Sequence, residues 1–377
     1  MHYYFHLSFF FIALVFMPVR VAAVDMTLPN VFARDDLLLS CVNGLDDTGR
    51  TECAASAFAD NNAIPLGQFN DDNYAPRNLD VSSVYARWGL SQWVRVYRGD
   101  WIFSAGQGQY SEYNGNRDAG QLWIDLHSID ATGRTYEPEA NGYRVQASWY
   151  ALGRAFSYER GGSSGTCEVY ARYITTSDML ARSVVGNVDG DNYTGMIRTL
   201  RASAAKDGVS GRGWALDCRV TGNLKNKMRF LMSVEGLLGQ VSWRQAVVED
   251  DYVSSPNVFE DPDGFLHDYF AMSGAGWKED KSMGVGRVIN LGVVQTHTTP
   301  YKIMGLTWQK GYTTLPKFGA AWPQQRNWIP YCCYYPSESR LEIGSYAQTW
   351  HIGASADFLS GGSPKAAAID IGINLSF

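Results

Sequence analysis

Ala368-Ile369-Asp370-Ile371-Gly372-Ile373-Asn374-Leu375-Ser376-Phe377 alternates from end to end. Ile369, Ile371, Ile373, Leu375 and Phe377 fall on one face, and Asp370, Gly372, Asn374 and Ser376 on the other. A period of two marks a strand with one apolar and one polar side. A soluble sandwich can own such a strand. A barrel that closes in lipid requires one, because an open sheet edge in hydrocarbon leaves N–H and C=O groups without partners.

Upstream, strand-like runs alternate with turn clusters from position 81 onward. About fourteen can be marked, near 82–97, 100–113, 120–129, 142–158, 166–176, 195–203, 212–222, 226–236, 240–250, 264–277, 283–296, 300–312, 340–356 and 365–377. Trp214, Leu216, Cys218 and Val220 oppose Ala215, Asp217, Arg219 and Thr221. In 122–129, Leu122, Ile124, Leu126 and Ile129 contrast with Trp123, Asp125 and His127. Runs of about ten residues, tilted, cross a hydrocarbon layer. If both termini share one side, 130–141, 177–194 and 251–263 are outward connections, and the short turns at 114–119, 159–165, 236–240 and 278–282 face the other way. Residues 313–339 break that rule as a long connection on the short-turn side.

The Gly372-x-x-Leu375-x-Phe377 ending resembles the C-terminal assembly signal of Gram-negative outer-membrane β-barrels. The residue before the glycine, polar in the usual signal, is Ile371 here. The resemblance implies an all-β fold, a transmembrane antiparallel up-and-down β-barrel of about 14 strands (12–16). It also implies an outer-membrane location, contact with lipid and lipopolysaccharide, and insertion by the barrel-assembly machinery.

Composition agrees. The chain has 377 residues, 45% of them hydrophobic, and a mean hydropathy of −0.22. That excludes a helical-bundle membrane protein but not a barrel, whose lipid-facing residues are diluted by inward polar ones. Aromatics at 14% and 38 glycines suit interfacial girdles and tight turns. A net charge of −6 argues against nucleic acid as a partner. Positions 7–17 form an apolar core of signal-peptide length, and Val21-Ala22-Ala23 offers a cleavage site, although the preceding residues hold His2 and His6 and no Lys or Arg. The expected organisation is therefore a signal peptide at 1–23, an irregular segment at 24–80 that is either a periplasmic leader or a lumen plug, and the barrel at 81–377. Six cysteines in an oxidising compartment permit disulfides, with Cys41 and Cys53 the candidate pair.

Candidate chemistry lies first at polar phases of the strands. Asp125, His127, Arg144, Glu168, Arg172, Asp217, Arg219, Arg229, Arg244 and Glu342 are read as lumen-lining. Charged rings there set solute preference; the competing reading is cross-strand ion pairs that fill a blocked interior. The aromatic, proline-rich stretch 312–336 is read as a girdle or cap. Asn187, Asp189 and Asp191 resemble part of an acidic calcium loop but lack a distal Glu, so no metal is expected. His351 and Ser355 share strand parity about two pairs apart, too far for direct contact, and no His-x-Ser pattern of a barrel deacylase is present. The sequence thus predicts a passive pore or substrate-specific channel for a small polar solute, with no cofactor and no enzymatic activity. A closed structural, assembly or adhesin-like barrel is the alternative, and an outer-membrane lipase or protease a further one.

Overall fold

The computed structural model describes residues 27–28, 49–63, 78–126, 134–189, 192–224, 227–254, 258–260, 266–268, 272–309, 314–323, 328–347, 349–357 and 364–376. In chain order the strands are β1 (Thr27–Leu28), β2 (Gly49–Asn61), β3 (Ser83–Arg98), β4 (Trp101–Asn116), β5 (Thr135–Tyr136), β6 (Glu139–Arg160), β7 (Ser163–Asp189), β8 (Asn192–Ser203), β9 (Gly211–Leu224), β10 (Met228–Ser254), β11 (Val258–Glu260), β12 (Leu266–Asp268), β13 (Met272–Val285), β14 (Val288–Gln295), β15 (Tyr301–Gln309), β16 (Leu315–Ala321), β17 (Trp328–Tyr335), β18 (Arg340–Ala347), β19 (Trp350–Ala356) and β20 (Ala366–Ser376). A helix, α1 (Arg117–Leu126), follows β4.

Sixteen of these strands close into an antiparallel 14-strand barrel; β11 and β12 form a separate hairpin, β1 adds a parallel pairing to β13, and β5 pairs with the end of β7. The ring is sealed by β2 against β20, from Arg50↔Ser376 to Asp60↔Ala366. Two wall positions are shared. β7 pairs with β9 up to Thr176↔Gly211 and with β8 from Asp178↔Ser203, so β8 and β9 lie end to end. β13 and β14 do the same beside β10. Closure pairs β2 on both sides, which is the condition for a sheet to survive in hydrocarbon; among the described residues, the side of β13 away from β10 meets only β1, at Gly284 and Val285.

The two faces are inverted relative to a soluble protein. On β20, Ile371, Ile373 and Leu375 are 47%, 51% and 54% exposed on the outside, whereas Asn374 is 5% exposed within. The same outward belt carries Phe103, Leu152, Tyr173, Trp214, Leu291, Met304, Phe318, Ile343 and Ile352. An apolar exterior around a polar interior is the surface of a membrane-spanning barrel of the outer-membrane type.

Short turns collect at one end, at Gly99-Asp100, at Gly161-Gly162 and between β18 and β19, together with Gly49 and Ser376. The wall is uneven above the other end: β7 and β10 run 27 residues each, while β15 to β19 run 7 to 9. Since about ten residues cross the hydrocarbon, the tall side projects well beyond it.

Several expectations are corrected. Residues 49–61, placed by sequence in a leader or plug, are a wall strand; small residues such as Ala54, Ala55, Ser56 and Ala57 blur the alternation. The described part of the run 120–129, up to Leu126, is helix and not strand. It belongs to α1, capped by the Asn116 side chain, which accepts from the Ala119 N–H at 2.9 Å. Ile124 of α1 packs on Leu79 and Val84, and a Cβ on Gly120 would collide with Val84. The stretch 313–339 holds the β16–β17 hairpin; Pro316 and Pro330 sit near strand starts, where proline is tolerated. Runs 226–236 and 240–250 are one strand, β10, carrying a bulge between Val234 and Leu238 rather than a turn at 236–240. Residues 340–356 are the hairpin β18–β19, 278–282 lie inside β13, 114–119 join β4 to α1, and most of 177–194 continues β7 and β8. The signal peptide at 1–23 lies outside the described residues.

Candidate functional site: the barrel lumen

Inward positions divide the interior into two zones. The first is bounded by β2, β3, β7, β9 and β10 and is filled by ion pairs and aromatic rings. Glu52 holds Arg50 at 3.1 Å and Arg95 at 3.6 Å. Asp217 holds Arg172 at 2.6 Å and accepts the Gly236 N–H at 2.7 Å. The Tyr97 and Tyr170 hydroxyls both donate to Glu168. The Arg50 guanidinium lies 4.0 Å above the Tyr97 ring. Glu52, Glu168, Arg172, Asp217 and Arg219 are all buried. Charges removed from water are tolerated only when paired in this way. A space of about 50 Å³ remains among Arg95, Arg172, Asp217, Arg219 and Glu235.

The second zone lies along β2, β14–β20 and the turn between β17 and β18. It contains a cavity of about 280 Å³. Glu342 projects into it, accepting from Lys317 at 3.2 Å, from Tyr331 at 2.8 Å and from Tyr335. Nearer the outer rim, Asp60 accepts from Arg87 at 2.7 Å, Arg87 reaches Glu338 at 3.1 Å, and Glu338 holds Arg340 at 2.8 Å. Asn290 and Thr307 are joined at 2.9 Å on the facing wall. Deeper in, His351 Nε2 lies 2.6 Å from Asp370 and its ring stacks on Tyr346. His351 also covers Gly372, where a Cβ would strike the imidazole. That close approach gives Gly372 a packing reason of its own; Leu375 faces outward, and Phe377 lies outside the described residues.

Of the sequence-predicted lumen residues, Glu168, Arg172, Asp217, Arg219, Arg229 and Glu342 are inward. Arg229 shares the face of Leu231. Arg144 and Arg244 are not. Arg144 faces outward and pairs with Asp178 at 2.9 Å, on the part of the wall that outgrows the lipid, where an outward charge meets water. Arg244 is exposed beside Gln245, whose φ of 60° marks a bulge that turns the strand face over. Asp125 belongs to α1 and is bonded to Gln121, Arg134 and Tyr136. Burial first, and then the Asp125 carboxylate, push the Tyr136 phenol up to about 12. His127 lies outside the described residues, as do Cys41 and Asp191. Cys53 points outward from β2. Asn187 and Asp189 stand on extended β7, paired with Thr194 and Asn192, and do not wrap a common point as a calcium loop does. Among the described residues, no group of three His, Cys, Asp or Glu side chains is placed to hold a metal ion.

The sequence reading missed Glu52 and Asp60, which lay in the segment taken for a leader. It missed Lys317 and Glu338 within the presumed loop. Alternation around Lys317, with Pro316 and Phe318 on the opposite face, was the available signal.

No family model and no curated protein sequence matches the chain. Solved structures of similar architecture include the toluene transporter TodX of P. putida, at 9% identity over 88% of this chain and 89% of that one, TM-score 0.42. The translocator domain of the autotransporter NalP from Neisseria meningitidis aligns at 9% identity over 89% and 91%, TM-score 0.32. The outer-membrane protease OmpT from Escherichia coli aligns at 8% identity over 89% and 99%, TM-score 0.24.

Proposed function

We propose that this outer-membrane barrel is a passive, selective channel for small polar solutes, which move along the β2 and β14–β20 side of the lumen. The observation that carries the reading is the cavity of about 280 Å³, lined by Asp60, Arg87, Arg340, Glu342 and Asp370 inside a wall whose outer face is apolar. Fixed, mutually paired charges of both signs hold a water-filled path without strong net attraction, so a solute binds weakly enough to leave. The packed zone beside it narrows the path and favours selection over free flow.

The reading is non-enzymatic. His351 is 2% exposed, and its ring is taken up by Asp370 and Tyr346. Ser355 accepts from Arg340 at 3.3 Å instead of facing a base. A nucleophile and base need mutual hydrogen-bond reach. In the cell, the surroundings in this reading are outer-membrane lipid and lipopolysaccharide, with insertion by the barrel-assembly machinery.

Refolded protein in liposomes and planar bilayers tests the proposal. Conductance steps and uptake of small polar solutes are expected. A folded barrel that inserts but neither conducts nor passes solute would overturn the channel and leave a closed structural barrel, which the ion-paired zone favours.

A further inference from the structure

Arg87 and Glu338 meet across the interior, not along the wall. In the ring, β3 and β18 are separated by β2, β20 and β19. Four strand spacings are about 19 Å along the sheet. Even so, Arg87 Nη2 lies 3.1 Å from Glu338 Oε1. Glu338 belongs to the connection Pro336–Glu338, a single 3-10 turn between β17 and β18, and its side chain reaches Arg87 inside the ring. Ser339 follows in the left-handed region, with φ 50° and ψ 30°, and returns the chain to β18. The turn is held from both sides: Arg87 is anchored by Asp60, and Arg340 grips the second Glu338 oxygen while lying 4.1 Å above the Tyr335 ring.

All four charged residues line the 280 Å³ cavity at the end away from the short turns. Glu338 and Arg87 retain 10% and 15% of their side-chain exposure, so the pair is neither sealed nor freely solvated. Ion pairs in such a setting are screened less by salt than surface pairs.

We propose that the Arg87–Glu338 pair is the entry latch of the channel. It pins the 336–339 turn over the outer mouth of the cavity, and a solute reaches Glu342 and Asp370 only when the pair parts. The latch rests on the channel reading, since a mouth needs a path behind it. It makes Glu338 the residue that sets entry, ahead of the deeper lining.

Ala368, a small cavity-lining residue outside the network, supplies the probe position. In protein whose native cysteines are replaced by alanine, Ala368→Cys is labelled with a water-soluble methanethiosulfonate, and folding is checked by heat-modifiable gel mobility. Glu338→Gln, and separately Arg87→Gln, are expected to speed labelling about tenfold, the ratio for losing one charge-assisted bond. The double variant is expected to match the singles. Equal labelling rates in parent and variants would overturn the latch. Solute flux in the same proteins separates the two ideas. Faster labelling with no flux in any variant shows that the pair covers the cavity but sinks the channel, and with it the pair's role as an entry latch. Flux in the parent with unchanged labelling and unchanged flux in both variants sinks the latch and keeps the channel.

Discussion

At the scale of single residues, the barrel obeys opposite rules on its two faces. Ile371 stands near the middle of β20 on the lipid side. Ile371→Arg is expected to destabilise the inserted protein by roughly 2–4 kcal/mol, the cost of a cation at the bilayer midplane. Reversible unfolding from bilayers in denaturant measures it, and a change near zero would place this face elsewhere than in lipid. Inside, Asp217 serves both Arg172 and the Gly236 N–H. Asp217→Ala is expected to cost about 3 kcal/mol, because a buried cation loses its counter-charge. The same unfolding assay reads that loss. A cost below that of an ordinary surface substitution would show that the zone is wetter than its packing.

At the scale of elements, interruptions carry the shape. The β10 bulge places Gly236 at φ 61°, where a Cβ would meet the Gly286 carbonyl. Gly236→Ala is expected to destabilise by about 1–2 kcal/mol through the left-handed backbone alone, with further loss from the clash. A stable, unaltered variant would mean that the bulge relaxes. α1 hangs on Asn116, whose side chain accepts the Ala119 and Glu139 N–H groups. Asn116→Ala is expected to lower helix protection in hydrogen exchange by about 1 kcal/mol while β3–β4 protection is retained. Loss of both together would show that α1 is part of the barrel's cooperative unit. The sequence missed this helix because Leu122, Ile124, Leu126 and Ile129 fit a period of two nearly as well as a helical stripe. The cap at Asn116 and the Gln121–Asp125 bond decide it.

For the whole molecule, β2 is the closing strand. Removing 49–61 leaves β3 and β20 each with an unpaired edge in hydrocarbon. That deletion is expected to abolish the SDS-resistant, heat-modifiable form. A deletion that still folds to such a form would show that β3 can close on β20 directly. The strand number expected from sequence agrees with the ring, but by exchange. One expected strand is a helix, two are merged into β10, and two further pairs (β8 with β9, β13 with β14) each share a single wall position, while one expected strand splits into β18 and β19. β2, β16 and β17 were not anticipated as wall strands. Local patterning counts apolar alternation well and boundaries poorly, because bulges flip phase and small residues weaken contrast.

What the sequence determined by itself was the class of surface. Alternation in 368–377 required one wet and one greasy face, and that holds for β20 at every inward and outward position described. It also singled out Glu168, Arg172, Asp217, Arg219, Arg229 and Glu342, because a charge at a polar phase goes inward where the outer face meets lipid; the same reasoning failed for Arg144 and Arg244, which are exposed. What only the tertiary structure decided was which of those charges meet. Asp60, Arg87 and the adjoining Glu338 and Arg340 come from three parts of the chain. Their convergence depends on ring closure and on the turn between β17 and β18, and neither is encoded in the period of any one strand.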